Sequence, residues 1–199
     1  DGIAGLETAD GRATGVRLQS GTVLDADVVI MGIGVRPNVE LAQGSGLRVG
    51  EGGGIALNRY MQTSDPAIYA VGDAAEYVYG PTGKPMRVPL AGPANRAGRI
   101  AGEHAATGRS SLKMGEVLGT SIVRVFGEVA GMTGLTEKQA SKLEIEAGVS
   151  VIKANHHAGY YPGASPMWLK LVFEMGSGRV LGAQAVGAAG VDKRIDVIA

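Results

Sequence analysis

Residues 63–76 have the sequence TSDPAIYAVGDAAE, in which a turn, a short apolar run and a Gly-Asp pair follow one another directly. Residues 68–71 are apolar at consecutive positions, which is typical of a strand covered on both faces. Gly72 permits close approach of another molecule to the backbone at the carboxyl end of that strand. Asp73 then stands where α/β proteins bind ligands, so the stretch predicts a buried strand that ends at a binding site.

The Asp73 side chain allows two interpretations. An ionised carboxylate only accepts hydrogen bonds, so it suits a polyol hydroxyl. Ala74 and Ala75 can open a helix whose N-terminus favours phosphate. Alternatively, Asp73 is the N-cap of an ordinary βα unit, and the residues alone leave both readings open.

Composition bounds the class of protein. The chain has 199 residues, enough for one large domain or two small ones, and 19 basic residues balance 19 acidic ones. Neither nucleic acid nor an anionic membrane surface is therefore indicated as a partner. No apolar stretch approaches the ~20 residues that span a bilayer, so a cytoplasmic protein is the default expectation. The absence of cysteine excludes disulfides and thiol chemistry by this chain itself.

Short strands and turn dipeptides characterise the first part of the chain. Turns are predicted at Asp10-Gly11 and Ser20-Gly21, with a strand over residues 14–18 between them. A buried strand is predicted at residues 28–31. It leads into a Gly-x-Gly segment, residues 32–34, that lacks the third glycine of a dinucleotide phosphate loop and is by itself only an exit from a strand.

A helix is predicted from Pro93 to about Thr107, since proline suits the first turn of a helix. Its small residues allow close packing on a flat neighbour. A short helix or turn is expected at residues 39–44. A helix packed on a sheet with no contact to a ligand is an equally good interpretation of the longer segment.

Residues 110–116 include several polar residues, and the pattern of apolar residues differs on their two sides. We place a domain boundary there. Strands are predicted within residues 121–132, 149–154, 167–174 and 180–186. Thr136 and Gln139 have the spacing of a capping box, and Gly148 is the expected residue after the end of that helix. These elements predict an antiparallel sheet with helices on one side, an α+β domain.

The loop at residues 155–164, NHHAGYYPGA, concentrates polar aromatic side chains. Adjacent histidines point to opposite sides of an extended chain, and no further ligand stands at a suitable spacing, so we expect no metal site. A tyrosine pair before Pro-Gly is compatible with a packed turn that exposes one ring.

Two sets of motifs resemble one enzyme family. Residues 63–76 resemble the second flavin-binding motif of the FAD-dependent pyridine nucleotide-disulfide oxidoreductases. Residues 118–121, 157–163 and 190–197 are similar to the interface domain of the coenzyme A-disulfide reductases and their NADH oxidase and polysulfide reductase relatives.

The resemblance implies a fold and a domain order. The fold would be an α/β flavin- and nucleotide-binding segment of incomplete doubly wound domains, followed by an α+β dimerisation domain with an antiparallel sheet. Residues 1–38 would end the NAD(P)-binding domain, 39–112 would be the C-terminal part of the FAD-binding domain, and 113–199 would be the truncated dimerisation domain. FAD and NAD(P)H would be the cofactors of a homodimer that reduces coenzyme A disulfide or a related disulfide or polysulfide.

The resemblance also implies roles for individual residues. Asp73 would hold a hydroxyl of the ribityl chain, with Gly72 and Ala74 beside it. The start of the Pro93 helix would face the flavin ring, where a positive helix end favours negative charge; its residues are Leu90, Ala91, Gly92 and Pro93. Arg36 would contribute to the nicotinamide side. Tyr160, or as second choice Tyr161, would reach the active site of the partner subunit as a proton donor to the substrate thiolate.

The departures from the family pattern limit these expectations. The chain lacks the first flavin dinucleotide fingerprint and the redox cysteine, so we expect a fragment of a longer enzyme that is inactive alone. One alternative is a self-association module without catalysis, which would need neither Gly72-Asp73 nor the Pro93 helix. Another is an NADH oxidase or peroxidase of the same fold.

Overall fold

The computed structural model describes residues 1–199, which form two compact units, residues 1–36 and residues 37–199. The first unit is an antiparallel sheet with the strand order β1-β2-β3. Its strands are β1 (Ile3–Ala9), β2 (Arg12–Leu18) and β3 (Val23–Asp25). Asp10 and Gly11 both have positive φ, 50° and 75°, as a tight hairpin turn requires. The predicted turn and the predicted strand at residues 14–18 are therefore confirmed.

The buried strand predicted at residues 28–31 is wrong. The segment has no regular secondary structure, belongs to none of the three sheets, and exposes Val28, Ile30 and Met31. An apolar run indicates that a segment is suited to burial, but a strand also needs a neighbour with which to pair its backbone. No strand of this chain pairs with these residues.

The second unit begins with a segment of mixed structure. Its elements are α1 (Glu40–Gly44), β4 (Glu76–Tyr79), β5 (Lys84–Arg87) and α2 (Ala91–Thr107). The helix predicted from Pro93 is confirmed as α2, which starts two residues earlier and ends at Gly108 in the left-handed conformation. The short helix predicted at residues 39–44 corresponds to α1.

Two predictions around the Gly-Asp pair are corrected. Residues 68–71 form a single antiparallel bridge through Tyr69 instead of a buried strand, and Ile68 and Val71 are 39% and 42% exposed. No helix follows Ala74. The chain instead enters β4, which pairs with β5 as an antiparallel hairpin. Tyr77 and Tyr79 are both buried, and aromatic residues at alternate positions favour a strand with one buried face.

The rest of the second unit is a five-stranded antiparallel sheet with two helices. Its strand order is β6-β7-β10-β9-β8, which confirms the predicted antiparallel α+β architecture. The elements are β6 (Ser121–Val125), β7 (Glu128–Gly134), α3 (Glu137–Lys142), β8 (Ala147–Asn155), β9 (Pro166–Glu174), β10 (Val180–Gly187) and α4 (Val191–Ile198).

Local signals explain where α3 begins. Thr136 accepts a hydrogen bond from the backbone N–H of Gln139, whose side chain reaches back to the backbone N–H of Thr136, so the predicted capping box is confirmed. The prediction for Gly148 is wrong, because α3 ends at Lys142 and Gly148 lies within β8. A Cβ atom there would lie 2.5 Å from the ring of Phe173, so a larger residue would force this side chain to shift.

One hydrophobic core connects the two parts of the second unit. It combines residues of the α2 and β4 region, such as Ile100 and Tyr79, with Leu135, Val172 and Leu181 of the five-stranded sheet and its connections. A second cluster lies between the sheet and α4, where Val191 and Ile195 are fully buried. No helix of the chain is both long enough and apolar enough to cross a bilayer.

The close approach of β10 to the β7–α3 connection generates a stability prediction. A Cβ atom at Gly182 would lie 2.2 Å from the carbonyl oxygen of Leu135, and backbone atoms cannot move aside as a flexible side chain can. We expect Gly182→Ala to lower the free energy of unfolding by about 3 kcal/mol, at the upper end of the usual cost of overpacking.

Urea denaturation followed by circular dichroism measures this change. Gly127→Ala is the matched control, because nothing lies within 4 Å of the added Cβ atom in the β6–β7 turn. Equal stability of the Gly182 variant and the parent would contradict the packing described above.

Candidate functional site

The Gly72-Asp73 pair forms a tight turn between the Tyr69 bridge and β4. The turn is closed by a 3.2 Å hydrogen bond from the N–H of Ala75 to the carbonyl of Gly72. Gly72 has φ of 88°, a conformation that favours glycine, and no heavy atom lies within 4 Å of the place of a Cβ. Asp73 and Ala74 occupy the corner of the turn. The sequence analysis predicted a binding position here, at the end of a strand and before a helix, and did not predict the turn that the structure shows.

Asp73 presents an available acceptor. Its carboxylate is exposed and takes part in none of the three ion pairs of the chain. The open space beside Gly72 leaves room for a ligand to approach the turn. A carboxylate beside an accessible glycine fits a hydroxyl-bearing group such as the ribityl chain of a flavin.

The start of α2 presents available donors. The N-cap residue Leu90 has an apolar side chain and makes no side-chain cap, while Ala91 and Gly92 are exposed. The first N–H groups of a helix have no partner within the helix and carry partial positive charge. Pro93 supplies no N–H, so Ala91 and Gly92 are the donors of this turn. An electron-rich group fits there.

A hydrogen bond links α2 to the segment that leads to the Gly72 turn. The Tyr69 hydroxyl and Nδ1 of His104 are 2.7 Å apart, and the ring of Tyr60 stacks on His104 with centroids 4.6 Å apart. Tyr69, Leu90 and Ala75 also pack on the same core. The structure therefore ties the segment before the Asp73 turn to the last turn of α2, while Leu90 at the start of α2 packs on the same hydrophobic core as Ala75.

Tyr77 is a functional candidate that the sequence analysis missed. Its hydroxyl donates to the carbonyl of Gly72 and accepts from the N–H of Gly72, each at 3.1 Å. Burial raises the pKa of Tyr77; the hydrogen bond with Gly72 opposes this shift, and the charge of Asp73 adds to it. The separation of Gly72 and Tyr77 in the sequence does not predict that the Tyr77 hydroxyl contacts the backbone of Gly72.

Tyr160 and Tyr161 lie at the tip of the β8–β9 loop. They are 86% and 60% exposed, and their rings are 5.0 Å apart. The base of the loop is held by Arg194 of α4, which donates to the carbonyl of His156 at 2.7 Å. The loop therefore presents two phenols outward from a fixed base.

Arg36 and the Asp73 turn belong to different units. Arg36 is exposed and is the last residue of the first unit, whereas all the other predicted site residues lie in the second. The role predicted for Arg36 stays a prediction.

An exposed Gly-Asp turn and an uncapped helix start, followed by an antiparallel α+β domain, fit the arrangement that the resemblance to nucleotide-dependent oxidoreductases implies. The chain belongs to the pyridine nucleotide-disulphide oxidoreductase family. Residues 3–94 match the family itself, and residues 114–199 match its dimerisation domain. The fold class implied by the resemblance is thereby confirmed.

Similar proteins act on sulfur compounds. An NAD(P)H sulfur oxidoreductase (CoA-dependent) from Pyrococcus abyssi is 42% identical over 87% of this chain and 38% of its own length. A coenzyme A disulfide reductase from Staphylococcus epidermidis is 36% identical over 92% of this chain and 41% of its own length. The solved NAD-dependent persulfide reductase from A. fulgidus is 37% identical, with a TM-score of 0.90 over 98% of this chain and 36% of that one. The chain thus spans about 40% of the length of the curated relatives that it matches.

Proposed function

We propose that this chain is the flavin-contacting and dimer-forming part of an FAD-dependent NAD(P)H:disulfide oxidoreductase that reduces coenzyme A disulfide or a related disulfide or polysulfide. The observation that carries the proposal is the Gly72-Asp73 turn with its exposed carboxylate; the uncapped start of α2, whose residue Leu90 packs on the same hydrophobic core as Ala75, supports it. The names of the similar proteins support the sulfur-containing class of substrate.

The chain's own residues would bind and orient the cofactor. Asp73 would accept a hydrogen bond from a ribityl hydroxyl, with Gly72 and Ala74 leaving room for the chain of the ligand. Leu90 would pack against the flavin, with Pro93 in the same turn, while the N–H groups of Ala91 and Gly92 would donate to it. FAD, when bound, supplies the passage of electrons from NAD(P)H to the disulfide. Arg36 would serve the nicotinamide side.

Tyr160 would serve the site of the partner subunit. Its phenol is exposed on a loop whose base is fixed, as a group must be if it is to reach into a neighbouring subunit. A phenol can hold a proton beside a thiolate that forms as the disulfide is cleaved. The thiol itself must come from outside this chain, which has no cysteine.

The homodimer would form through the uncovered part of the five-stranded sheet. Cross-strand pairing places Val123, Ala130, Val186, Trp168 and Lys153 in one row across all five strands. Trp168 is 55% exposed and lies beneath the ammonium group of Lys153, 5.2 Å from the ring centroid. An exposed apolar row of this kind is typical of a surface that a protein partner covers.

We expect a cytoplasmic enzyme.

The proposed function divides the chain into three domains or parts of domains. Residues 1–38 would end the NAD(P)-binding domain, 39–112 would complete the FAD-binding domain, and 113–199 would form the dimerisation domain. The compact first unit ends at Arg36, close to the first proposed bound.

Removal of the Asp73 carboxylate tests the flavin contact. In the full-length parent, we expect Asp73→Ala to raise the Kd for FAD by about tenfold or more, because a charge-assisted hydrogen bond is lost. Fluorescence titration of the flavin-free protein measures this constant. Glu51→Ala is the control, since it removes an exposed carboxylate that takes part in none of the three ion pairs. Equal affinity of Asp73→Ala and the parent would contradict the flavin assignment.

Removal of the Tyr160 hydroxyl tests the proposed proton donor. We expect Tyr160→Phe to lower kcat for NAD(P)H-dependent reduction of coenzyme A disulfide by about 10²-fold, the lower end of the range for general acids. Tyr161→Phe is the matched control, with a change below about threefold. Steady-state kinetics with oxygen excluded measure the reaction. A larger loss in the Tyr161 variant would transfer the role to that residue.

A charge at Trp168 tests the dimer surface. We expect Trp168→Glu to convert the full-length dimer to monomer at micromolar concentration, because the apolar contact of the ring is lost and a carboxylate, even beside Lys153, must lose its hydration at the interface. Sedimentation velocity measures the oligomeric state. Leu41→Glu, in α1, introduces the same charge at an exposed apolar position and should leave the dimer intact. A dimer that survives Trp168→Glu would place the contact elsewhere.

A further inference from the structure

We propose that Tyr77 is a positioning residue that fixes the Gly72-Asp73 turn and thereby sets the direction in which the Asp73 carboxylate meets the flavin. The inference rests on the proposed function, because it assigns a role to Tyr77 only if Asp73 contacts FAD. The observation that carries it is the pair of hydrogen bonds, each 3.1 Å long, between the Tyr77 hydroxyl and the N–H and carbonyl of Gly72. We call this pair the Tyr77 clamp.

The clamp acts on the residue that controls the orientation of Asp73. The side chain of Asp73 leaves the backbone in a direction that depends on the dihedral angles of Gly72 and of Asp73 itself. Gly72 has φ of 88° and nothing within 4 Å of the place of a Cβ, so side-chain packing at this residue does not hold it in that conformation. Glycine visits many other conformations at little cost. The clamp engages both backbone polar groups of Gly72 and therefore restricts its rotation.

The clamp has a rigid support. Tyr77 is 3% exposed and belongs to the hydrophobic core that also contains Ala75, Ala97 and Ile100. The strand β4 that carries it is paired with β5, with Tyr77 opposite Met86. Because the ring cannot move without disturbing this core, the hydroxyl holds a fixed position for Gly72 to bind.

The Tyr77 phenol keeps its proton at neutral pH. Burial raises its pKa, the bond from Gly72 lowers it, and the negative charge of Asp73 raises it further. The hydroxyl can therefore donate to the Gly72 carbonyl throughout the physiological range.

Tyr79 offers a matched comparison within the same strand. It is as deeply buried as Tyr77, at 3% exposure, and burial raises its pKa to about 12. Its position two residues further along β4 places it outside the clamp. If removal of the hydroxyl has the same effect at both residues, the effect acts through the core. If only removal of the Tyr77 hydroxyl has an effect, that effect acts through the Gly72 turn.

The test is a set of four variants of the full-length parent, assayed by fluorescence titration with FAD: Tyr77→Phe, Tyr79→Phe, Asp73→Ala and the double variant of Tyr77 and Asp73. We expect Tyr77→Phe to raise the Kd for FAD by about tenfold and to change the visible circular dichroism of the bound flavin, since two hydrogen bonds are lost. Tyr79→Phe should change the Kd by less than twofold. In the Asp73→Ala background, the added Tyr77→Phe should change the Kd by less than twofold, because the clamp acts through Asp73.

The outcomes separate this inference from the proposed function. Parental FAD affinity in Asp73→Ala would overturn the flavin assignment, and the clamp with it. Weak binding in Asp73→Ala together with parental affinity in Tyr77→Phe would leave the flavin assignment standing and overturn the clamp. A tenfold loss from Tyr77→Phe that is the same in both backgrounds, or that is matched by Tyr79→Phe, would reduce Tyr77 to a core residue and also overturn it.

A second measurement needs no variant. In the flavin-free parent, the Gly72 amide should exchange with deuterium at least about tenfold more slowly than the amide of Gly92, which has no partner within α2. An unprotected Gly72 amide would overturn the clamp even if Tyr77→Phe failed to fold.

Discussion

The burial of two tyrosines on β4 is the constraint on which the rest of the second unit depends. Tyr77 and Tyr79 point into one core, where full burial of a large side chain contributes about 1.5–3 kcal/mol. Tyr79 also forms a parallel bridge with Val117, and the N–H of Gly80 donates to the Val117 carbonyl at 3.0 Å. The hairpin therefore connects the α2 region to the chain that enters the five-stranded sheet, and a fault in it would disturb both.

Both candidate functional groups follow one structural rule: a fixed base carries an exposed tip. The Asp73 turn is fixed from below by the Tyr77 clamp, and the Tyr160 loop is fixed by the bond from Arg194 to His156. An exposed polar group loses little solvation until its ligand arrives, whereas a fixed base limits the conformational entropy lost on binding. This division of roles explains why neither functional side chain needs to be buried in this chain.

Features that depend on residues close in the sequence were predicted more accurately than features that depend on distant residues. The capping box at Thr136 and the turn at Asp10-Gly11 depend on neighbours close in sequence, and both were predicted. The strands of the five-stranded sheet were also predicted, from their own patterns, although β7 pairs with the distant β10. The runs at residues 28–31 and 68–71 were predicted as buried strands and are not, because an apolar run does not identify the strand with which it pairs. The Gly72-Asp73 pair was predicted as a binding position at the end of a strand, but the turn that it forms was not predicted. The Tyr77 clamp was not predicted either, because it depends on a side chain that contacts the backbone of an earlier residue.

The correction after Ala74 narrows the chemistry of the candidate site. A helix beginning at Ala74 would have placed partial positive charge beside Asp73 and suited a phosphate. The chain instead enters β4, whose N–H groups pair in the hairpin, so no helix dipole acts at this turn. The only helix start among the candidate residues of this unit is that of α2, with Ala91 and Gly92 exposed. The Asp73 turn therefore fits a neutral hydroxyl donor, and the start of α2 fits an electron-rich group. A ligand that binds to both must carry these two groups at separate positions, as a flavin with its ribityl chain does.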